Sequence, residues 1–238
     1  MDNIFKLWVY LSASPLLWLT VTLGAYVLAD RIAIAARYSP LANPVLIAVA
    51  LVALLLHATG TAYPTYFAGA QFVHFLLGPA TVALAVPLVR EARHVRRLLV
   101  PILAALLAGS STAILTAVGV AWALGAPREM LVSLAPKSVT TPIAMGIAAA
   151  NGGIPALTAV FVLITGVIGG VSVTPLMNLL KMKDFAARGF AAGLASHGIG
   201  TARAFQVSLL AGTFAGLAMA LNGLATSLLV PLFLMLWR

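Results

Sequence analysis

Apolar stretches of roughly twenty residues follow one another almost without a break in this chain, and a sequence of that kind folds only inside a lipid bilayer. Two polar islands interrupt it: Leu134-Ala-Pro-Lys-Ser-Val-Thr-Thr-Pro142 and Ala195-Ser-His-Gly-Ile-Gly-Thr-Ala-Arg203. Each sets a cation, hydroxyls and helix breakers where the flanking sequence would otherwise run on as membrane helix. Irregular polar backbone survives at membrane depth only when it is buried in protein or lines a wet cavity. The islands therefore mark a solute site within a membrane protein.

Composition agrees. The 238 residues are 62% hydrophobic and 8% charged, more apolar surface than a soluble domain can hide. The length allows about 6–8 membrane segments, so we expect an all-α, polytopic fold with broken or re-entrant helices at the site, in a single domain covering 1–238. A net charge of +9 would point to nucleic acid in a soluble protein. Here the basic residues cluster between apolar runs, at Arg31 and Arg37, at Arg90, Arg93, Arg96 and Arg97, and at Lys181, Lys183 and Arg188. That pattern reads as cytoplasmic loops touching anionic membrane lipid, with no nucleic-acid partner. Cysteine is absent, which excludes a disulfide framework and a thiolate metal site. The first apolar run, from Leu7 to Ala29, is too long for a signal-peptide core and reads as a retained helix.

Hydropathy and turn chemistry place membrane segments at 7–29, 44–58, 72–89, 98–124, 130–150, 154–180, 189–205 and 207–236. If all three basic loops face the cytoplasm, only one net crossing fits between residues 125 and 181, where two apolar segments lie. One of them is then re-entrant, and 130–150, which holds Pro136 and Pro142, is the better candidate. A short internal echo, Pro79-Ala-Thr-Val82 against Pro136-Lys-Ser-Val139, matches the broken-helix repeats of transporters.

The islands supply anion-binding chemistry. A lysine at the centre of a membrane segment costs roughly 2.5 to 3.5 kcal/mol, so Lys137 either snorkels from a shallow turn or has a ligand. Ser138, Thr140 and Thr141 stand beside it, and a helix starting near Ser138 would aim free N–H groups at the same anion. In the second island Gly198 and Gly200 would let the backbone turn and expose N–H groups, while Ser196, His197 and Thr201 add hydrogen bonds and Arg203 offers a bidentate fork. The bland alternatives are a structural ion pair for Arg203 and a packing role for His197; a protonation role is open to that imidazole. Thr81, Asn151 and Asn222 either line the same cavity or bond between helices. Gly189 with Gly193 and Gly212 with Gly216 are spaced for close helix contact. His57 and His74 have no metal-ligand company, so neither a metal nor a cofactor is assigned. Ser196 next to His197 is no hydrolase signal, because adjacent side chains diverge and no acid orients the ring. The chain is not read as an enzyme.

At these islands the sequence resembles the LrgB/CidB family of bacterial membrane proteins, relatives of the plant plastidic glycolate/glycerate transporter. The resemblance rests on His74-Phe-Leu-Leu-Gly-Pro-Ala-Thr-Val-Ala-Leu-Ala-Val-Pro-Leu88, on Leu134 to Met145, on Gly152-Gly-Ile-Pro-Ala-Leu-Thr-Ala-Val160 and on Ala195 to Ala204. It implies a multi-pass protein of the bacterial cytoplasmic (inner) membrane. It also implies one of two activities: alternating-access transport of small monocarboxylates of the pyruvate, glycolate or glycerate type, or holin/antiholin-like modulation of murein hydrolase activity and lysis, usually with an LrgA-like membrane partner. The first is the expectation here, with a homodimer as the assembly. After Arg203 the chain departs from the family, carrying Phe205-Gln-Val-Ser-Leu-Leu210 where relatives commonly carry an acidic stretch.

Overall fold

The computed structural model describes residues 14–39, 42–76, 79, 82–83 and 85–236. Thr81 lies outside the described residues. The elements are α1 (Pro15–Ala35), α2 (Pro44–Thr59), α3 (Tyr63–Phe75), α4 (Ala85–Arg90), α5 (Ala92–Arg97), α6 (Leu99–Ala123), α7 (Arg128–Leu134), α8 (Thr141–Ala150), α9 (Pro155–Leu179), α10 (Phe185–Val207) and α11 (Leu209–Leu236). Among the described residues every element is a helix, so the fold is all-α. Among the described residues four helices are long and apolar enough to cross a membrane: Pro15–Ala35, Leu99–Ala123, Pro155–Leu179 and Leu209–Met235. The protein is a multi-pass membrane protein. The chain forms two compact units, divided between Ala85 and Val86.

In the first unit α1 packs against α2 and α3. Pro15 and Pro44 stand in the first turns of α1 and α2, where a missing N–H costs nothing. The Asn43 Oδ1 caps α2 by accepting from Val45 N at 2.9 Å and Leu46 N at 3.3 Å. Gly60, at φ 63°, ends that helix in the left-handed conformation. Two boundaries differ from the hydropathy reading. Helix α1 runs through Asp30 and Arg31 to Ala35, because charges near a helix end reach water along their own stems and need not terminate the helix. In place of the expected segment 72–89, which falls partly outside the described residues, one helix covers Tyr63–Phe75 and another Ala85–Arg90. The start at Tyr63 follows from aromatic packing: Tyr66 sits edge-on to Trp18 with centroids 6.0 Å apart, and its hydroxyl accepts from Thr22 Oγ1 at 3.2 Å.

In the second unit α6, α10 and α11 share an apolar core of Ile102, Leu106, Phe190, Leu194 and Phe214. Helices α10 and α11 approach backbone to backbone, since a Cβ on Gly189 would overlap the Ala211 carbonyl and one on Gly193 that of Ala215. The Gly189/Gly193 spacing thus marks a helix contact, whereas Gly212 faces the Phe205 ring.

The segment 130–150 is not one helix. It is α7, of 7 residues, a turn, and α8, of 10 residues. At about 1.5 Å per residue these span roughly 10 and 15 Å, well short of the ~30 Å hydrocarbon layer. The chain also returns to its point of entry: Ile154 N donates to Ser133 Oγ at 2.7 Å, and Ser133 Oγ donates to the Glu129 carbonyl at 2.6 Å. A straight crossing would hold residues 133 and 154 about 30 Å apart. In a chain with no cysteine of its own, Ala126→Cys and Ala150→Cys are therefore expected to react with an impermeant maleimide from the same side of the membrane. Labelling from opposite sides would mean that α7 and α8 together cross it.

Candidate functional site

The first island forms the turn between α7 and α8, and the core holds it in place. Ala135, Pro136 and Val139 are buried, with Ala135 and Val139 packed into the cluster of Ile114, Val118, Ala144, Ile147 and Val162. These contacts fix the turn to the body of the unit. Lys137 stands between these apolar anchors and projects from them. Its ammonium donates to Ser138 Oγ at 3.3 Å, and among the described residues no carboxylate pairs with it. Helix α8 begins at Thr141, with Thr140 as its N-cap and Pro142 in the first turn. The expected start near Ser138 is displaced by three residues because Lys137 N and Val139 N bond back to Leu134 O and Pro136 O, at 3.1 and 3.2 Å, and keep the turn closed.

The second island breaks α10. Ser196 (φ −131°, ψ 15°) and His197 (φ 42°, ψ −130°) leave the helical conformation at mid-helix. The turn was expected at Gly198 and Gly200; it falls on His197 instead. Gly198 has open space around it, and Gly200 is used for close approach to the Ala192 carbonyl and the Ser196 side chain. A positive φ on a non-glycine residue costs about 1–3 kcal/mol and persists only when its surroundings impose it. Here the imidazole Nε2 lies 3.0 Å from the Val162 carbonyl, and the ring packs where a Cβ on Gly166 would collide with it. His197 therefore anchors the break to α9. Thr201, beyond the break, returns to ordinary helix bonding and donates to the His197 carbonyl at 2.8 Å.

Asn222 on α11 joins the two islands. Its Nδ2 donates to the Ser138 carbonyl at 3.2 Å and to the Leu194 carbonyl at 3.0 Å. Its Oδ1 accepts from Ser110 Oγ at 2.7 Å and from Thr226 Oγ1 at 3.1 Å. With 1% of its surface exposed, it fills its whole hydrogen-bonding capacity. Of the two readings left open by the sequence, the interhelical bond is the one realised. Asn151, by contrast, sits at the C-cap of α8 and bonds the Ile147 carbonyl at 2.7 Å.

Between the islands runs a groove of about 710 Å³ lined by Lys137, Ser138, Thr165, Gly169, Ala195 and Ser196, with Thr112 on α6. The structure brings Lys137, Ser138 and Ser196 together there. It does not bring Arg203. That guanidinium lines a separate small cleft with Thr174, Phe185 and Arg188, and donates to Thr174 Oγ1 at 3.4 Å and Gln206 Oε1 at 3.2 Å. Thr165 was not singled out in the sequence; only its spacing of four from Gly169 on one helix face could have flagged it. Among the described residues no cluster of His, Asp and Glu could hold a metal ion.

A family model described as "LrgB-like family" matches residues 22–236. The chain belongs to that family. Among its relatives, the YxaC protein of Bacillus subtilis is 36% identical over 84% of this chain and 86% of its own length. Holin-like protein CidB of Staphylococcus epidermidis is 29% identical over 96% and 98%, and that of Staphylococcus aureus 28% over the same shares. No solved structure matches. The match takes in both islands, Asn222 and the α9 residues of the groove, so the site of this LrgB-like protein lies wholly within the family segment.

The Asn222 clamp makes a sharp stability prediction. Asn222→Leu leaves the Ser138 and Leu194 carbonyls without its amide, at about 1–3 kcal/mol for each buried polar group left without a partner, and turns the Ser110 and Thr226 hydroxyls back on their own helices. We expect a loss of several kcal/mol, read as a markedly lower Tm in detergent. Asn222→Asp keeps the acceptor for Ser110 and Thr226 but sets a carboxylate against two carbonyl oxygens, and is expected to be no better. Wild-type Tm in both variants would mean that the clamp holds nothing.

Proposed function

We propose that this LrgB-like protein acts as a holin-like protein of the bacterial cytoplasmic membrane, changing envelope permeability and through it murein hydrolase activity and lysis, without catalysing a reaction itself. The support is the similarity along 96% of the chain to proteins named holin-like, joined to a multi-pass body of apolar helices. A homodimer, or a complex with a smaller LrgA-like membrane protein, is the assembly that goes with it; membrane lipid is the surrounding solvent and nucleic acid has no part. Expression in a bacterial host should change the rate of detergent-triggered autolysis and the murein hydrolase activity seen on zymograms. Rates and zymograms equal to those with an unrelated membrane protein at the same level would overturn the proposal.

One observation favours a second reading: the Lys137 ammonium faces a solute-sized groove beside two serine hydroxyls and without a carboxylate. A cation in low dielectric with no counter-charge attracts an anion. In this reading the protein carries small monocarboxylates of the pyruvate, glycolate or glycerate type by alternating access. The ammonium holds the carboxylate and the hydroxyls orient it. Proteoliposomes should then take up labelled pyruvate, glycolate or glycerate with saturation, and Lys137→Ala should weaken apparent affinity about tenfold or more, since a charge-assisted hydrogen bond contributes roughly 1.5–3 kcal/mol. Arg203→Ala, outside the groove, should leave affinity within about threefold. Uptake that neither saturates nor responds to Lys137→Ala would remove the carrier reading and leave a non-selective permeability.

A further inference from the structure

One buried polar group stands out from the rest. Ser196 is 1% exposed, lines the groove, and its Oγ has no hydrogen-bond partner among the described residues. Membrane-helix hydroxyls ordinarily donate to the carbonyl one turn back, as Thr201 does on this same helix and Thr158 on α9, at 2.8 and 3.1 Å. The break at Ser196 turns its side chain away from that partner. Toward α9 it meets Gly169, where a Cβ would overlap the Ser196 Oγ. One turn before Gly169, on the same face of α9, stands Thr165, which lines the same groove and, unlike Thr158, makes no bond of that kind.

Lys137, Thr165 and Ser196 thus line one groove, the last with its hydroxyl enclosed against Gly169 at the groove's edge. Resting on the carrier reading, we propose that Ser196 and Thr165 together recognise a second polar oxygen of the bound anion, next to its carboxylate, and that Gly169 is the positioning residue that keeps the Ser196 hydroxyl there. A hydroxyl both donates and accepts, so the pair suits an oxygen with or without a proton. Sites built to hydrogen-bond a ligand oxygen discriminate strongly against the analogue lacking it, because their own polar groups are then left unpaired. Lys137 sets whether an anion binds; Ser196 and Thr165 set which one.

The test compares glycolate with acetate, which differ by that one hydroxyl, in competition and direct-uptake assays on proteoliposomes of the full chain. Wild type should prefer glycolate. Ser196→Ala and Thr165→Val fit the same space, and each should cut the preference about tenfold while acetate affinity stays as it was; Lys137→Ala should weaken both acids alike. Gly169→Ala should lower Tm, and Ser196→Gly in the same chain should restore Tm but not the preference. A wild type that binds both acids equally, or variants that keep the full preference or lose both acids to the same extent, would overturn this inference while leaving the anion groove standing. A wild type that binds neither acid would overturn the groove reading itself, and this inference with it.

Discussion

A single buried amide determines whether the rest of the site can exist. Each island has a buried carbonyl in it or beside it that Asn222 reaches, and in a membrane interior such a group finds no water to bond. Asn222 donates one proton of its Nδ2 to each, the Ser138 and Leu194 carbonyls, while its Oδ1 takes up the hydroxyls of Ser110 and Thr226. No other uncharged side chain except glutamine offers two donors and an acceptor from one planar group, and the shorter arm of asparagine keeps α10 and α11 close enough for Gly189 and Gly193 to meet backbone. Clamp and glycine contact belong to one arrangement: the helices must touch for the amide to reach, and the amide makes the broken helix tolerable once they touch.

The second anchor of the break works from the opposite side. His197 bonds the Val162 carbonyl and packs on Gly166, while Ser196 packs on Gly169, so α9 presents small residues at a spacing of three to receive the two non-helical residues of α10. With α11 on one side and α9 on the other, the strained backbone is fixed from both. The groove runs from the break toward Lys137 and α6. The Lys137 turn is pinned in turn by Ala135 and Val139 in the neighbouring apolar cluster. The cation cannot swing out to water as a whole segment; only its own side chain is free to move.

Some of this was legible in the sequence because it follows from a conflict with the bilayer. A lysine between two prolines, and a Ser-His-Gly run, have no reason to stand in apolar surroundings unless they are shielded together, and Lys137, Ser138 and Ser196 do share one groove. Loop charge counted against hydropathy gave the broken segment 130–150 for the same reason. The position of the turn in the second island was not legible: glycine has the backbone freedom, but the side chain with partners on α9 is His197, and a tertiary hydrogen bond outweighs a local preference. Nor was the separation of Arg203. It follows Ser196 by seven residues, but the chain turns at the Ser196–His197 break, and the part of α10 beyond it runs back so that Arg203 lies with Thr174, Phe185 and Arg188 instead of with Thr165 and Gly169. Adjacency in sequence concealed two separate sites.

The distribution of polarity bears on how such a protein can pass solute. The outward faces of the long helices are apolar, with Leu103, Leu107 and Leu115 on α6, Leu163, Ile164 and Ile168 on α9, and Leu224, Leu228 and Leu232 on α11 all exposed. A pore assembled from many copies needs a polar stripe along a helix face, so that subunits line water together. Among the described residues of the second unit, Asn222 instead joins a broken helix to the turn between α7 and α8, where Lys137 has no carboxylate partner. On the carrier reading proposed above, solute meets Lys137, Ser138 and Ser196 within one copy, and uptake depends on the balance between Lys137 and its ligand; on the holin-like reading, permeability depends on the number of copies assembled.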